Sequence, residues 1–425
     1  MSRLSISGFC DHFTRRIVLF FLLPLLSAAP IARSQDVVRP SLAGEAASEA
    51  RQQDLSRIPY NLMVGPVRFR LGATVAVEYN DNINLAEVRV EDDVIIRPNV
   101  NLNATWPITQ LNTLRLDIGL GYAFYLDHSN ADTNGVLLTP NSQIAVDIFV
   151  SDFRINIHDR FSLQQDPVQE AALSNVIDYG RFENTAGVSA LWDLNKMLLT
   201  LGYDHYNYVS TVKDFDYLNR NADIVSGTID FLINPTTSVG VEGNAVFTYY
   251  DQRVLNDSTD YSVGGFAEIQ ITNNLKVRVA GGYQAINFDQ NGLVGDPHDL
   301  SDYYANLLLT HRLNAMISQS ISAGHESQLG VNSNYISLNY VRHTVTWNVI
   351  RNTLLSTEFF FEDADESGGF INEHFNRLGG AVSIGYQLTP HVTLGVRYQH
   401  TTKDSDVALR SYNQNRVSVD GTYSF

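Results

Sequence analysis

The sequence of 425 residues contains a single cysteine, Cys10. Cys10 precedes the apolar stretch of the N-terminus, whereas a lipid-acceptor cysteine would follow it. We expect the segment that holds Cys10 to be removed during export, which leaves a chain without any thiol. Disulfides and thiolate metal sites are thereby excluded.

Long apolar runs and an excess of basic residues are also lacking. The run from Ile17 to Leu26 is too short to span a bilayer as a helix, and no later run is long enough. The 29 lysines and arginines are outnumbered by 46 acidic residues, so the net charge is −17 at pH 7. A chain this acidic has no electrostatic footprint for nucleic-acid binding.

Catalytic motifs are absent from the sequence as well. No Gly-x-Ser-x-Gly elbow and no His-Glu-x-x-His motif occurs. His158, His205, His325 and His343 fall on separate predicted strands. Asp363 to Gly368 matches the opening half of a calcium loop, but His374 stands where the closing glutamate should be. We therefore expect a protein that is not an enzyme and that holds no cofactor and no metal, and we interpret the acidic stretch as a solvated loop.

The N-terminus predicts export. Arg3, Arg15 and Arg16 form a basic region before the apolar run, and Ala32-Arg33-Ser34 offers a cleavage site. We interpret residues 1–34 as a signal peptide. Residues 35–64 show no strand alternation, which favours a flexible periplasmic segment over a plug.

From residue 65 to residue 425 the chain alternates between apolar and polar residues. In the last ten residues, Phe425, Tyr423, Val419 and Val417 share one face and polar residues share the other. The same period of two recurs in segment after segment, from Val67 onward. It predicts strands with lipid on one side and water on the other, which is typical of an all-β, transmembrane, up-and-down antiparallel β-barrel.

Turn signals set the number of strands. Short turns, expected at the periplasmic rim, recur about every 40 residues. Longer acidic segments, expected to be extracellular loops, lie between them, at 80–92, 127–141, 162–183, 209–218, 251–260, 289–302, 326–334, 362–374 and 401–411. Eight short turns divide the chain into nine two-strand segments, which predicts about 18 strands. A soluble β-propeller would need four strands in each repeat. The short turns are centred near Thr109, Ser151, Asn195, Pro235, Asn273, Asn314, Arg351 and Pro390.

Aromatic residues support the orientation. Trp106, Trp192 and Trp347 each precede a short turn, whereas tyrosine pairs gather at the opposite strand ends, as two interfacial girdles would require. The last strand, which ends with Tyr423 and Phe425, resembles the C-terminal signature of bacterial outer-membrane β-barrels, and this resemblance implies a signal that the barrel-assembly machinery reads.

Closure of the barrel pairs the last strand with the first. We expect Ser424 beside Arg68 and Thr422 beside Arg70. This register brings Asp420 within reach of Arg70.

The polar face carries charges of both signs, which predicts either salt-bridged struts or a field that selects solutes in a pore. The third loop, residues 162–183, carries apolar residues such as Ala171 to Leu173 that a solvated loop has no reason to hold. We expect it to fold inward and to carry Asp166, Glu170 and Asp178 toward Arg115, Arg154 and Arg160; a loop packed over the rim or against a neighbouring subunit is the alternative. The pore-lining candidates are Arg115, Asp117, Arg154, Arg160, Glu242, Arg278, Arg342, Arg377 and Arg397.

Several stretches resemble one loose family of porin-like bacterial outer-membrane β-barrels. The resemblance covers most of the chain from about residue 65 and implies location in the outer membrane of a Gram-negative cell. Some members of that family are associated with exopolysaccharide production and export. The stretches are Arg181 to Gly187, Gly202 to Tyr206, Tyr303 to Asn306, His311 to Ala315, Ser367 to Phe370 and Leu409 to Val417.

Together these observations predict an outer-membrane barrel that passes small hydrophilic solutes or assists saccharide export. The alternative is a structural or adhesive barrel with an occluded lumen. The expected partners are outer-membrane lipid, lipopolysaccharide and the barrel-assembly machinery, with a saccharide as one candidate substrate. Nucleic acid is not expected, and the oligomeric state is left open.

Overall fold

The computed structural model describes residues 60–133, 135–350 and 352–425. The predicted signal peptide lies outside the described residues, as does the predicted periplasmic segment up to residue 59. At the end of that segment, Leu62–Val64 forms a short strand that pairs with the start of the first barrel strand.

The described chain forms one closed antiparallel barrel of 18 strands, in which each strand pairs with its neighbours in sequence. This confirms the predicted fold class and strand number. The strands are Val67–Asn80 (β1), Asp93–Pro107 (β2), Thr113–Gly121 continued by Phe124–Tyr125 (β3), Leu137–Val150 (β4), Phe153–Gln164 (β5), Arg181–Asp193 (β6), Met197–Ser210 (β7), Arg220–Asn234 (β8), Thr237–Tyr250 (β9), Ser258–Thr272 (β10), Leu275–Phe288 (β11), Leu300–Arg312 (β12), Ile317–Leu329 (β13), Tyr335–Ile350 (β14), Thr353–Glu366 (β15), His374–Gln387 (β16), Val392–Ser405 (β17) and Tyr412–Ser424 (β18).

Side-chain burial follows the period of two that the sequence shows. In β1, Val75, Val77 and Tyr79 are exposed on the outer surface, whereas Glu78 and Asn80 are buried inside. Apolar residues thus face outward and polar residues face inward, which is the arrangement of a barrel in lipid.

Each of the eight predicted short turns joins a pair of neighbouring strands. Asn195, between β6 and β7, has φ +68°, and Asn352, between β14 and β15, has φ +73°. Asparagine tolerates this left-handed conformation better than other residues with a Cβ, because its short polar side chain bonds locally.

The outer loops are shorter than predicted, because several strands continue into them. Residues 401–411 were expected to form a loop, but β17 runs to Ser405, and β15 runs to Glu366 within the expected loop 362–374. These strands extend beyond the lipid, where both of their faces are polar. Backbone pairing between strands therefore continues past the point where the alternation of apolar and polar residues ends. The outer loops are L1 (81–92), L2 (126–136), L3 (165–180), L4 (211–219), L5 (251–257), L6 (289–299), L7 (330–334), L8 (367–373) and L9 (406–411).

The barrel closes between β1 and β18, but the expected register is wrong by four residues. Ser424 lies opposite Gly72, and Thr422 lies opposite Thr74, with their hydroxyl oxygens 2.9 Å apart. The cause is the short strand Leu62–Val64, which occupies the edge of β1 at Val67–Phe69. The last strand therefore starts its pairing further along β1.

The same shift removes an expected contact. Asp420 lies opposite Ala76, six residues from Arg70, so the predicted pairing of Asp420 with Arg70 is also wrong. Because the register shift of four residues is an even number, every side chain still points to its predicted face of the barrel wall.

The aromatic residues follow the prediction only in part. Trp106, Trp192 and Trp347 are 42%, 37% and 38% exposed on the outer surface near the short turns. Tyr208 and Tyr304, however, are buried inside the barrel at 3% and 5% exposure. Adjacent tyrosines such as Tyr303 and Tyr304 point to opposite sides of the wall, so only one of the two can join a girdle. Tyr206 lies two residues from Tyr208 and packs against the same internal cluster, so neither of that pair joins a girdle.

Helical structure in the described ranges is limited to three short 3-10 segments, Ser129–Ala131, Pro167–Gln169 and Lys213–Leu218. Within those ranges, no helix has both the length and the apolar character needed to cross a membrane.

Candidate functional site

L3 leaves the wall between β5 and β6 and extends to the strands on the other side of the closure. Its first turn is the 3-10 segment Pro167–Gln169, which is capped by Asp166 because the Asp166 carboxylate accepts from the Val168 amide at 3.1 Å. The cap, the turn and the residues after it contact side chains of β18, β16 and β17, respectively. L3 therefore lies inside the barrel mouth.

The apolar residues of L3 are buried, as expected. Ala171, Ala172 and Leu173 belong to a cluster that also contains Phe375 of β16 and residues of five outer loops. Ile177 packs against a second cluster, on the side of β2 and β3. Burial of apolar surface stabilises by about 25 cal/mol per Å². The two clusters together hold L3 from both sides.

Arg416 of β18 ties L3 to the closing strands. Its guanidinium donates from Nη1 to Asp166 at 2.8 Å and from Nη2 to Glu78 of β1 at 2.9 Å. Arg97 of β2 reaches the same Glu78 carboxylate at 3.4 Å. A planar guanidinium with donors pointing to two sides is suited to this bridging position.

A second attachment lies on β16. Arg377 donates to the backbone carbonyl of Val168 at 2.8 Å and to Glu362 of β15 at 2.8 Å. Glu362 also accepts from Arg342 of β14 at 3.1 Å. The carboxylate thus holds two arginines in place, and one of them binds the L3 backbone.

A third attachment is a buried ionic cluster at the outer rim. Glu373 of L8 accepts from Lys403 of β17 at 2.9 Å and from Arg410 of L9 at 2.8 Å, and the side chains of Glu373 and Lys403 are both 0% exposed. Lys403 and Arg410 also donate to the backbone carbonyl of Ala172 in L3. Ser174 donates to the Arg410 carbonyl at 2.7 Å.

A pocket of about 250 Å³ remains between L3 and the wall formed by β17, β18 and β1. The lining side chains are almost entirely polar and include two acids and two bases. The lining consists of Glu78, Asp166, Val168, Gln169, Arg397, Gln399, Arg416 and Ser418.

The carboxyl groups of L3 differ in their electrostatics. Burial acts to raise the pKa of Asp166, but the guanidinium groups of Arg416 and Arg97 hold it below the ordinary value. Burial raises the pKa of Glu170, although Arg181 opposes the shift. Burial also raises the pKa of Asp178, to about 6, because only a backbone hydrogen bond from Gly180 favours its charged form.

The predicted meeting of these acids with Arg115 and Arg154 is wrong, whereas their meeting with Arg160 stays a prediction. Arg115 and Arg154 instead hold Asp147 of β4, at 3.1 Å and 2.8 Å. Arg154 is the second residue of β5, and ten residues at about 3.3 Å each separate it from the strand end where L3 begins. Arg115 and Arg154 lie near the periplasmic rim, whereas L3 lies near the outer one.

The other pore-lining candidates also lie on inward faces and have partners. Asp117 accepts from Asn103 at 2.7 Å and from Gln143 at 3.0 Å. Arg278 donates to Glu242 at 2.7 Å. The remaining contact of this set is between Arg397 and Glu358, at 2.8 Å.

Sequence reasoning missed several residues that hold L3, chiefly Arg416, Glu78 and Glu373. Arg416 and Glu78 lie on the polar faces of the last and the first strand, so the alternation alone could have placed them inside. Glu373 gave no such signal, because it lies in a loop. In the described ranges, no group of three or more histidine or acidic side chains is arranged to hold a metal ion.

Comparisons with known proteins agree with this architecture. The model of the family described as "Putative beta-barrel porin 2" matches residues 63–425. No curated protein matches the sequence.

Three solved structures align with most of the chain. Pseudomonas aeruginosa OccK2 (OpdF), in complex with glucuronate, is 11% identical with a TM-score of 0.50, covering 86% of this chain and 100% of that one. Pseudomonas aeruginosa OpdQ is 12% identical with a TM-score of 0.48, covering 85% and 100%. Acinetobacter baumannii OccAB3 is 10% identical with a TM-score of 0.45, covering 84% and 99%.

Proposed function

Because this chain belongs to the "Putative beta-barrel porin 2" family, we propose that it forms a pore for small hydrophilic solutes, narrowed by L3. The protein is a Gram-negative outer-membrane β-barrel. Its outward apolar face lies in the lipid of that membrane, and its charged inward face surrounds the proposed path.

The position of L3 is the observation that carries the proposal. Asp166 and Val168 are held by Arg416 and Arg377 on the opposite side of the closure, so the loop narrows the interior. Pairs of acids and bases line the remaining space, and such pairs tolerate hydrated solutes better than an apolar wall does. We propose Asp166, Glu170 and Asp178 as residues of the constriction.

The pore-lining candidates named from the sequence keep that role in the proposal. Their paired charges place a field of both signs along the path, from the periplasmic rim at Arg154 to the outer part at Arg377. OccK2 was solved with glucuronate, which has the size of solute that we propose here. Neither the family nor these structures support exopolysaccharide export.

An occluded barrel is the second candidate. The apolar cluster around L3 includes Leu218, Leu255, Val294 and Val331, each from a different outer loop. This cluster fills part of the outer mouth. A structural or adhesive barrel would have no need for a path beside it.

Deletion of residues 169–177 tests the proposal. In planar bilayers, the full-length protein should give discrete single-channel conductance, and the deletion variant should conduct more because the constriction is lost. Proper insertion of the variant is checked by its resistance to unfolding in detergent at room temperature. Absence of conductance in both proteins would favour the occluded barrel, and equal conductance would remove L3 from the path.

A further inference from the structure

The pocket beside L3 has a composition that suits one class of solute. It lies between L3 and the closing strands, and its charged lining consists of Glu78, Asp166, Arg397 and Arg416. The two acids and two bases cancel, so the pocket offers no net formal charge. A volume of about 250 Å³ has room for one small solute and not for a chain of them.

Each arginine of the pocket is already neutralised. Arg416 donates to Asp166 at 2.8 Å and to both carboxylate oxygens of Glu78, at 2.9 Å and 3.1 Å. Arg397 donates from both terminal nitrogens to Glu358, at 3.2 Å and 2.8 Å. Double contacts of this kind are the strongest that a guanidinium makes with carboxylates. An anionic solute would have to compete with them.

Asp166 also remains a carboxylate in this setting. Although burial favours its neutral form, Arg416 and Arg97 lower its pKa below the ordinary value. An incoming carboxylate would meet the negative charges of Asp166 and Glu78 at close range. The repulsion between two such groups about 4 Å apart is substantial even at the dielectric of a protein surface.

The pocket lining also contains uncharged polar groups. Gln169 and Gln399 have side-chain amides, and Ser418 has a hydroxyl, all at the pocket surface. Amides and hydroxyls both donate and accept. The paired carboxylates beside them can accept hydrogen bonds from solute hydroxyls, and the paired guanidinium groups can donate hydrogen bonds to solute hydroxyls. Neither kind of group has to lose its present partner.

We propose that this pocket is a subsite for a neutral, polyhydroxylated solute of monosaccharide size. The inference rests on the proposed pore and specifies its preferred solute. Hydroxyl groups match the mixed donors and acceptors of the lining. A net charge of either sign would disrupt the pairs around Arg416.

Swelling of liposomes that contain the full-length protein provides the test. Glucose and glucuronate are the two probes, because they share a ring and differ by one carboxylate. We expect glucose to enter at least about fivefold faster, which corresponds to about 1 kcal/mol. Entry of glucuronate at the same rate or faster would overturn the subsite. Entry of neither solute would overturn the pore and the subsite together.

A pair of variants locates the effect. Glu78→Gln removes one acid from Arg416 and should reduce the preference for glucose, because the guanidinium becomes less neutralised. Glu87→Gln is the matched control, since Glu87 is an exposed acid of L1 that does not line the pocket. An equal loss of preference in both variants would assign the effect to overall charge and would contradict the subsite.

Discussion

At the scale of the residue, the interior of this barrel is built from charges that are compensated across strands. Asp147 is 0% exposed and is held by Arg115 and Arg154, which come from two different strands. A buried charge whose partner is removed is destabilising by about 3–5 kcal/mol. The carboxyl group of Asp178 lacks such compensation, because one of its oxygens is buried without a hydrogen-bond partner.

Asp178 should make the docking of L3 depend on pH. Burial raises its pKa to about 6, so its ionised form is disfavoured when L3 is docked. The resulting destabilisation is absent below the ordinary pKa near 3.8 and fully present above about 6. We therefore expect channel fluctuations to increase as the pH rises from about 4.5 to about 7.5.

Asp178→Asn should remove this pH dependence, because an amide cannot ionise. Single-channel recording at several pH values is the measurement. Asp214→Asn, which changes an exposed acid of L4, is the control and should behave as the unchanged protein. A pH dependence that persists in Asp178→Asn would assign it to another group.

At the scale of the element, L3 acts as a strap whose outer end is fixed by one carboxylate. Glu373 holds Lys403 and Arg410, and both cations bind the Ala172 carbonyl. Glu373→Gln leaves two buried cations without their counter-charge. We expect the outer end of L3 to detach and Glu170 to become accessible to a glutamate-specific protease.

The rate of cleavage after Glu170, followed by mass spectrometry, measures this detachment. Glu358→Gln is the matched control, because Glu358 pairs with Arg397 on the wall and belongs to no L3 contact described above. The rate should rise about tenfold or more in Glu373→Gln, which corresponds to ~1.4 kcal/mol. Cleavage as slow as in the control would show that the apolar clusters alone hold the strap.

At the scale of the whole molecule, the last strand closes the barrel against β1. The rings of Tyr423 and Phe425 lie outside, with centroids 4.9 Å apart, and the Phe425 amide donates to the Leu71 carbonyl at 3.2 Å. We propose that these two residues form the assembly signal. Deletion of Phe425 should deplete the protein from isolated outer membranes.

Phe370→Ala is the control for this deletion. Phe370 is an exposed aromatic residue of L8 that lies far from the terminus. Its loss should leave insertion unchanged, because the assembly machinery is expected to read the last strand. Normal outer-membrane levels after removal of Phe425 would exclude its role as a signal.

The amino-acid sequence by itself determined the barrel. A period of two over the whole chain can satisfy lipid on one side and water on the other only if the strands pair and close. Turn residues such as Asn195 fixed the number of strands, because each turn is a local feature. The burial of Ala171 to Leu173 also followed from local evidence, since these residues had to leave water. The rim and a neighbouring subunit remained alternatives to the inward fold of L3.

Only the tertiary structure decided which charges meet. A register shift of four residues leaves every side chain on its face, so the alternation could not exclude the wrong pairing of Thr422. The strand Leu62–Val64 settled that register by occupying the edge of β1. The partners of L3 were equally hidden, because Arg416 lies 250 residues beyond Asp166 and Arg410 lies 238 residues beyond Ala172 in the chain. These residues meet L3 because the barrel closes and because they lie at the same height along its axis as the loop. Neither property can be predicted from the local sequence.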